Sequence, residues 1–389
     1  MNLYYVDLHI HIGRTMTGKA VKITGAKTLT FSNITSHARD KKGLHMIGII
    51  DCHSPEVIEE MSLLLQSGDL VEHEDGGLLY GGLTIIPGSE LEIYDESCKG
   101  PIHVLCYFSN LEVMKDFSKW LAKHLKNINL SSQRVYISGR ELQKKVKKLG
   151  GLFIPAHVFT PFKSLYGKGV VASLSEVLEP ELIDGIELGL SSNTEMADQL
   201  EELQSYNYVT NSDAHSLAKI AREYQIIQMN NPTFKGLKEA LHNQNGQQIV
   251  ANYGLDPVLG KYHETVCARC FTPKGSKEIT SCKNCEHSKF IKGVAERILE
   301  LKTAKEGKHN RPPYIHQVPL EFIPGLGKKL LERLLNHFGT EMAILHEVQV
   351  EALKEVVPVK VANLIIAARN GELSLQAGGG GNYGKVADQ

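Results

Sequence analysis

Histidine and acidic residues recur along the first 215 residues at spacings that suit metal binding. They are His9, His11, Asp51, His53, Glu90, His103, His157, Asp213 and His215. Neutral imidazoles combined with carboxylates suit Zn²⁺, Mn²⁺ or Fe²⁺ better than Ca²⁺, which prefers oxygen ligands. This many ligands imply two or three metals that share a bridging carboxylate, for which Glu90 is the natural candidate. Such multinuclear sites hydrolyse phosphoesters, so the residue types predict a metal-dependent phosphoesterase.

The first histidine pair must lie on a strand. Apolar residues at positions 3, 6, 8, 10 and 12 alternate with polar ones, and this pattern predicts an extended chain. His9 and His11 then point to the same face, ~7 Å apart. Two imidazoles held in this way can bind one metal ion.

Six further apolar segments predict strands, and most of them end in a histidine or an acid. They are 44–50, 83–87, 102–108, 152–155, 185–188 and 206–210. Their alternation with helices predicts βα units, a parallel sheet and a closed or nearly closed barrel. The carboxyl ends of barrel strands meet at one face, so the candidate ligands should converge there. His103 would join them if its strand enters from the same rim.

Four of the seven cysteines form a compact motif, Cys267-x-x-Cys270 followed by Cys282-x-x-Cys285. Two such pairs can close a tetrahedral thiolate site, and structural zinc is its usual occupant in a reducing compartment. Because the protein fills all four positions, the site should be structural. The other three cysteines are expected to be free thiols.

A glycine-rich turn near residue 325 predicts a second kind of binding element. Gly325 and Gly327 precede Lys328 and Lys329 and an amphipathic helix, which resembles a helix-hairpin-helix DNA-binding module. The glycines let backbone N–H groups approach a phosphate at a helix N-terminus without reading bases. Residues 342–369 look like the second half of the tandem, without its glycines.

Composition and charge indicate a globular protein with a polyanionic partner. Apolar residues make up 42% of the chain and charged residues 22%, with a net charge of −1. Residues 1–260 hold 24 basic and 30 acidic residues, whereas residues 261–389 hold 19 and 14. The basic second part is expected to contact a polyanion. With neither a signal peptide nor a membrane-spanning run, we expect a cytoplasmic, nucleoid-associated protein without a membrane partner.

Taken together, the ligand motifs of the first part resemble the polymerase-and-histidinol-phosphatase (PHP) family, whose fold is a distorted seven-stranded (β/α) barrel. By this resemblance His9, His11, Glu90 and Asp213 hold one metal, Glu90, His103 and His157 a second, and His53 and His215 a third. The catalytic residues would be His9, His11, Glu90, Asp213 and His215. Two departures touch the third metal: Thr17 stands where the family often has histidine, and Cys52 is inserted between Asp51 and His53.

The order of the parts resembles the endonuclease Q family over the chain up to about residue 371. The parts are a PHP barrel over 1–250, a four-cysteine zinc domain over 251–306, an all-α helix-hairpin-helix domain over 307–371 and a disordered tail over 372–389. Residues 307–319 are expected to be a linker. The resemblance implies nicking of double-stranded DNA 5′ of deaminated bases (hypoxanthine, uracil, xanthine) and abasic sites, leaving a 3′-hydroxyl and a 5′-phosphate.

Further contacts are expected next to the metals. The loop 13–33 and the segment 159–163 are rich in glycine, lysine or aromatic residues, so Lys22, Lys27 and Lys163 are candidates for holding the DNA backbone. Base flipping would favour lesions in weakened pairs. Glu372-Leu373-Ser374-Leu375 faintly resembles bacterial sliding-clamp-binding peptides, although an aromatic residue is missing. We expect two or three divalent metals (Zn, Mn or Mg), one structural zinc and a monomer.

Three alternatives remain open at the level of sequence. A small-molecule phosphoesterase of the histidinol-phosphatase type shares the barrel but gives no reason for the cysteine motif or the glycine hairpin. A PHP-type 3′ exonuclease or abasic-site nuclease would use the same metal ligands. A non-catalytic DNA-binding protein with a vestigial barrel would have lost ligands, whereas nearly the full set is present.

Overall fold

The described residues form one large sheet and three short two-stranded sheets. The computed structural model describes residues 1–276 and 278–373, together with the backbone of 375–376 and 385–386. The strands are β1 (Asn2–Ile10), β2 (Met46–Ile49), β3 (Val71–Glu72), β4 (Leu78–Tyr80), β5 (Leu83–Ile93), β6 (Ile102–Tyr107), β7 (Arg134–Val135), β8 (Leu152–Pro155), β9 (Ile186–Glu187), β10 (Tyr208–Val209), β11 (Tyr224–Met229), β12 (Gln248–Gly254), β13 (Val266–Cys267), β14 (Phe290–Ile291), β15 (Tyr314–His316), β16 (Leu375–Gln376) and β17 (Lys385–Val386).

The main sheet has the order β15-β12-β11-β1-β2-β5-β4-β3, and β6 and β7 pair with the second half of β5. β8 continues the sheet from β6. The ring then closes through β9 and β10, because the N–H of Asp184 bonds to the carbonyl of Phe153 in β8 and Ile10 forms a parallel bridge with Ala214. The seven predicted strands are therefore β1, β2, β5, β6, β8, β9 and β10. The predicted PHP-type barrel is confirmed.

The expectation of a parallel sheet was too simple. β1, β2 and β5 run parallel, but β5 pairs with β6 and β6 with β8 in antiparallel fashion. Only eight residues separate Ile93 from Ile102, and a parallel crossover needs about a dozen or more. The short connection therefore forces a hairpin. As a consequence Glu90 lies inside a strand rather than at its end.

Helices cover the sheet and use local sequence signals at their ends. They are α1 (Phe31–His37), α2 (Pro55–Ser67), α3 (Leu111–Leu121), α4 (Gly139–Lys148), α5 (Thr194–Ala197), α6 (Phe234–Leu241), α7 (Val294–Leu301), α8 (Lys328–Phe338), α9 (Glu341–His346), α10 (Val350–Val356) and α11 (Val359–Arg369). The Asn110 side chain caps α3, while Pro55 opens α2 and Gly68 closes it at φ +82°. Neighbouring residues of β6, such as Val104 and Leu105, join two different apolar clusters, so both faces of that strand are buried.

The segment after the cysteine motif is part of the barrel rather than a free linker. Within the expected linker 307–319, β15 adds to the edge of the sheet beside β12. Arg311 forms an ion pair with Asp198 at 2.8 Å, and both side chains are almost fully buried. Upstream, Arg297 of α7 donates to the carbonyls of Tyr166 and Val170. The C-terminal parts are thus fixed to the barrel by backbone pairing and buried ions.

The last four helices form the C-terminal module, which packs on the helical turn Ala38–Lys42 after α1 and on tyrosines of β1, β11 and β12. Lys42 Nζ lies 2.9 Å from Glu341 Oε2, and Tyr224 Oη lies 2.6 Å from His346 Nε2. Residues 374, 377–384 and 387–389 of the predicted disordered tail fall outside the described residues. Residue 374 also belongs to the clamp-like segment 372–375. In the part of the chain that is described, we find no helix with the length and apolarity that a membrane span requires.

Candidate metal centre and DNA-binding elements

The two histidines at the end of β1 are oriented by carboxylates. His9 Nδ1 lies 2.9 Å from Glu187 Oε1, and His11 Nδ1 lies 3.0 Å from Asp51 Oδ2. Their Nε2 atoms are buried and have no hydrogen-bond partner among the described residues. A carboxylate on one ring nitrogen fixes the tautomer and leaves the other nitrogen able to bind a metal.

These orphaned nitrogens face two acids. His9 Nε2 lies 3.6 Å from Glu90 Oε1 and 3.5 Å from Asp213 Oδ1. His11 Nε2 lies 3.6 Å from Glu90 Oε2 and 3.4 Å from Asp213 Oδ1. Ligand atoms ~2.1 Å from one ion lie roughly 3–3.5 Å apart, so this spacing fits a divalent metal better than a network of direct hydrogen bonds.

Glu90 also belongs to a second group of ligands. Its Oε1 atom lies 2.9 Å from His103 Nδ1 and 3.3 Å from His157 Nε2. The antiparallel pairing of β5 with β6 places His103 opposite Glu92. Glu92 lies two residues from Glu90, on the same face of β5. A single carboxylate therefore stands between two pairs of histidines, as a bridging ligand must.

A third group combines His11, Asp213 and His215. His215 Nε2 lies 3.3 Å from Asp213 Oδ1. Asp51 and His53 join none of the three groups found in the described residues. Asp51 Oδ2 also accepts the N–H of Ile12, and His53 Nε2 faces the Leu130 carbonyl at 3.3 Å.

Several contacts of the centre were not identified from the sequence. Glu187, besides holding His9, accepts the N–H of His157 at 2.8 Å. Ser131 Oγ lies 3.2 Å from His11 Nδ1, and Ser132 contacts Glu90 Oε2. Glu187 ends a short apolar strand, and this position marks it as a candidate for the centre. The two serines lie in a loop whose sequence gives no such indication.

The lysines predicted to contact DNA have different positions. Lys22 Nζ lies 3.1 Å from Glu90 Oε2, so it is a neighbour of the candidate metal ligands. Lys163 lines the cleft, with Nζ 2.9 Å from Glu92 Oε2. Lys27 is exposed on the 13–33 loop.

Charge compensation sets the protonation states at the centre. Burial opposes ionisation of Glu90, but His103 and Lys22 outweigh it and hold the pKa of Glu90 well below its usual range. The pKa of Asp213 is likewise low, because His9 and His11 outweigh burial. Burial lowers the pKa of His9, yet the Glu187 and Asp213 charges raise it to about 10. The site is thus built to hold positive charge beside ionised acids.

The backbone is strained around the same cleft. His157, Asp213, Ser132 and Lys163 have φ values of 31°, 44°, 53° and 53°. Left-handed conformations cost non-glycine residues of order 1–3 kcal/mol each and cluster at functional sites. His157, Asp213 and Lys163 border a cleft with a volume of about 540 Å³, which is within the usual range for a ligand site.

The four cysteines form a separate group. Cys267 Sγ lies 3.6 Å from Cys285 Sγ, and Cys270 Sγ lies 3.4 Å from Cys282 Sγ. The N–H of Arg269 points to Cys267 Sγ, one of the N–H···S contacts that favour a thiolate. This geometry fits a tetrahedral zinc ion with all four positions filled by protein.

The glycine turn before α8 has the geometry that phosphate contact requires. Gly325 adopts φ +81°, and Gly327 caps the helix with open space where a Cβ would lie. Lys328 and Lys329 are exposed at the start of α8. Two glycines and two exposed cations therefore lie together at one helix N-terminus, as a phosphate contact would require.

Comparisons with known proteins cover the whole chain. No family model matches it. The uncharacterized protein YqxK of Bacillus subtilis (strain 168) is 55% identical over 386 residues, which are 99% of this chain and 100% of the relative. The crystal structure of the lesion-specific endonuclease PfuEndoQ from Pyrococcus furiosus is 31% identical with a TM-score of 0.84, covering 99% of this chain and 95% of that chain.

A second solved structure adds a bound nucleic acid. It is Endonuclease Q in complex with a 27-mer duplex substrate that has an abasic lesion at the active site. It is 32% identical with a TM-score of 0.86, and the match covers 100% of this chain and 97% of that chain. Both matches extend beyond the barrel to the cysteine motif and the C-terminal helices.

Proposed function

Because the chain belongs to the endonuclease Q family, we propose that it nicks duplex DNA on the 5′ side of deaminated bases (hypoxanthine, uracil and xanthine) and of abasic sites. The products would be a 3′-hydroxyl and a 5′-phosphate. The observation that carries the proposal is the Glu90 carboxylate, which is shared by two pairs of histidines beside a cleft. This centre lies in a chain that is similar over its whole length to lesion-specific endonucleases.

The residues of the chain supply the positions for catalysis. Divalent metals held by the three groups would polarise phosphate oxygens and lower the pKa of water. Glu187 and Asp51 orient His9 and His11 so that their free nitrogens face Glu90 and Asp213. Since these contacts exist before substrate binds, the centre needs little reorganisation during the reaction.

The remaining residues would bind the DNA. Lys163 and Lys27 stand beside the cleft and on the neighbouring loop, where they can contact phosphates of the cleaved strand. The glycine turn and the two lysines of α8 would hold the duplex backbone without reading bases. An extruded nucleotide could enter the cleft, and a lesion in a weakened pair is cheaper to extrude. In the same proposal the four-cysteine group holds one structural zinc ion.

The experiment that tests the proposal uses end-labelled duplexes with one deoxyinosine, one uracil, one abasic site or no lesion. Each is incubated with the protein and Mg²⁺ or Mn²⁺. We expect a single nick 5′ of the lesion, and none with Asp213→Ala. Asp116→Ala is the matched control, because Asp116 is exposed on α3 and pairs only with Lys119 among the contacts described.

Other product patterns would contradict the proposal. Progressive shortening of every duplex would indicate a 3′ exonuclease. Hydrolysis of small phosphate monoesters without DNA cleavage would indicate a phosphatase. Retention of nicking by Asp213→Ala would place the chemistry outside this metal centre.

A further inference from the structure

Two exposed tyrosines flank an arginine beside the strand that carries Glu90. Tyr94 follows β5, and Tyr136 follows β7. The Arg134 guanidinium lies 4.8 Å from the centre of the Tyr94 ring and 5.4 Å from that of Tyr136. Lys126 Nζ lies 5.6 Å from the Tyr136 ring on the same surface. We call these four residues the tyrosine–arginine patch.

The backbone fixes this patch rather than leaving it to mobile side chains. Ile93 and Val135, the neighbours of Tyr94 and Tyr136 in sequence, are buried in the core. Because successive side chains of a strand point to opposite faces, the two tyrosines must then point outwards. Arg134 donates to the Tyr94 carbonyl, which ties the two strands together. Tyr94 and Tyr136 nevertheless remain 39% and 50% exposed.

The patch is continuous with the metal centre. Arg134 is paired in register with Glu92, which lies two residues from the shared ligand Glu90. On the same segment Ser132, two residues before Arg134, contacts Glu90 directly. Two residues of extended chain span ~7 Å, so the patch begins within one side-chain length of the catalytic carboxylate.

The chemistry of the patch selects its partner. Exposed aromatic rings combined with cations are the means by which proteins stack unpaired bases and hold the phosphates between them. A fully paired duplex keeps its base faces covered, so it offers these rings little to stack on. Three acids lie nearby: Asp95 accepts the N–H groups of Ser97 and Gly139, Glu92 is paired with Lys163, and Glu96 is exposed.

We propose that the tyrosine–arginine patch binds an unpaired stretch of DNA that leads away from the cleavage site. This inference rests on the proposed function, since it assigns the strand to the same DNA. The enzyme would then prefer lesions beside frayed or unpaired bases.

The first test measures binding of the full chain to a fluorescently labelled single-stranded oligothymidine. Loss of each stacking ring costs about 1–3 kcal/mol, so we expect Tyr94→Ala combined with Tyr136→Ala to weaken binding by about 30-fold or more. The corresponding double phenylalanine variant should bind like the native chain, since it keeps both rings. Tyr80→Ala is the matched control. Tyr80 also contacts an arginine, with Arg39 at 5.1 Å from its ring, but it lies in the β3–β4 hairpin, away from the cleft.

The second test compares nicking of two lesion duplexes, one fully paired and one with two unpaired bases beside the lesion. The native chain should cleave the second faster at low enzyme concentration, and the double alanine variant should lose this preference. Equal oligothymidine binding by the native chain and the double alanine variant would overturn the proposal that the patch binds unpaired DNA. If the native chain binds the oligonucleotide through the patch but nicks no lesion, the proposed function fails and the patch stands.

Discussion

Two regions of the molecule bury histidines. Acidic groups surround the histidine of one region, whereas an arginine is the charged neighbour in the other. At the metal centre, carboxylates surround His9 and raise its pKa to about 10. At the interface between the barrel and the C-terminal module, burial lowers the pKa of His346 to about 4, and the charge of Arg369 adds to this. Burial alone therefore makes a neutral histidine, while burial with acids makes a cation or a metal ligand.

The interface shows how a histidine can serve packing alone. His346 stacks on Tyr5 at 4.9 Å and meets the Tyr253 ring edge-on at 5.0 Å. Tyr224 Oη donates to Gln317 Oε1 and lies 2.6 Å from His346 Nε2, so the Nε2–H of a neutral His346 can donate to Tyr224. The chain of buried polar groups is thus satisfied by neutral partners. A buried ion pair lies elsewhere in this interface, between Lys42 and Glu341.

The largest effect is expected when that charged pair is broken. Lys42 and Glu341 are 5% and 14% exposed, so Lys42→Met would leave a buried carboxylate without its cation. We expect the free energy of unfolding to fall by about 3–5 kcal/mol, as measured by urea denaturation. Adding Glu341→Leu should restore most of this loss. Lys119→Met, which breaks an exposed pair, should cost less than about 1 kcal/mol.

If Lys42→Met and Lys119→Met had the same small effect, the interface would not depend on a buried ion pair. Failure of the double variant to recover stability would indicate that Lys42 acts through its other contact, the Ala218 carbonyl at 3.0 Å. Either result would weaken the contrast between charged and neutral contacts in this interface.

A smaller effect is expected at the metal centre when the orienting carboxylate is neutralised. Glu187→Gln keeps the volume but removes the charge that holds His9 Nδ1. We expect the affinity for Mn²⁺ to fall about 10- to 100-fold, as measured by calorimetric titration. Added metal should then restore nicking. Glu202→Gln is the control, since Glu202 is bonded to Tyr166 and Ser173 away from the centre.

Equal Mn²⁺ affinity in Glu187→Gln and the native chain would mean that the orientation of His9 comes from packing alone. The metal-ligand histidines would then resemble the interface histidine more closely than their charges suggest. A loss of affinity in Glu202→Gln would instead indicate a general effect of the substitution on folding.

Sequence spacing was most informative where ligands follow strands. The pairs His9–His11 and Asp213–His215 could be assigned to one rim because strand ends in a barrel converge. Glu90 was assigned to the same rim, although it lies inside β5. The role of Glu187 was missed, although Glu187 also ends an apolar strand and therefore carried the same signal. Ser132 could not be identified, since its contact depends on how a long loop folds back. The family resemblance, made on the order of parts, is confirmed by the whole-length matches.

The same limit applies to the direction of strands and to the interface. The short connection between β5 and β6 carried a readable signal for a hairpin, because its length excludes a parallel crossover. In contrast, nothing near His346 in the sequence indicates three tyrosines from distant strands. Such contacts follow from tertiary packing, which local patterns do not encode.

The smallest effect is expected from the pH dependence of the interface histidine. The pKa of His346 is about 4 in the folded chain and about 6.5 when unfolded. Between these values the unfolded chain binds more protons, so the stability contributed by neutral His346 is present above pH 6.5 and is lost as the pH falls towards 4. Allowing for partial exposure, we expect a loss of about 1–2 kcal/mol.

The measurement is urea denaturation of the metal-free chain at pH 7 and pH 5, with His346→Gln beside it. The glutamine amide can still donate to Tyr224 but does not titrate, so the difference between the two pH values should shrink in the variant. His37, whose pKa is also lowered to about 4 by burial and by Lys42 and Lys41, titrates in both proteins and cancels in the comparison. An unchanged difference would mean that His346 is hydrated and that the interface does not select its neutral form. Buried histidines in this chain would then be distinguished by solvent access rather than by the charges around them.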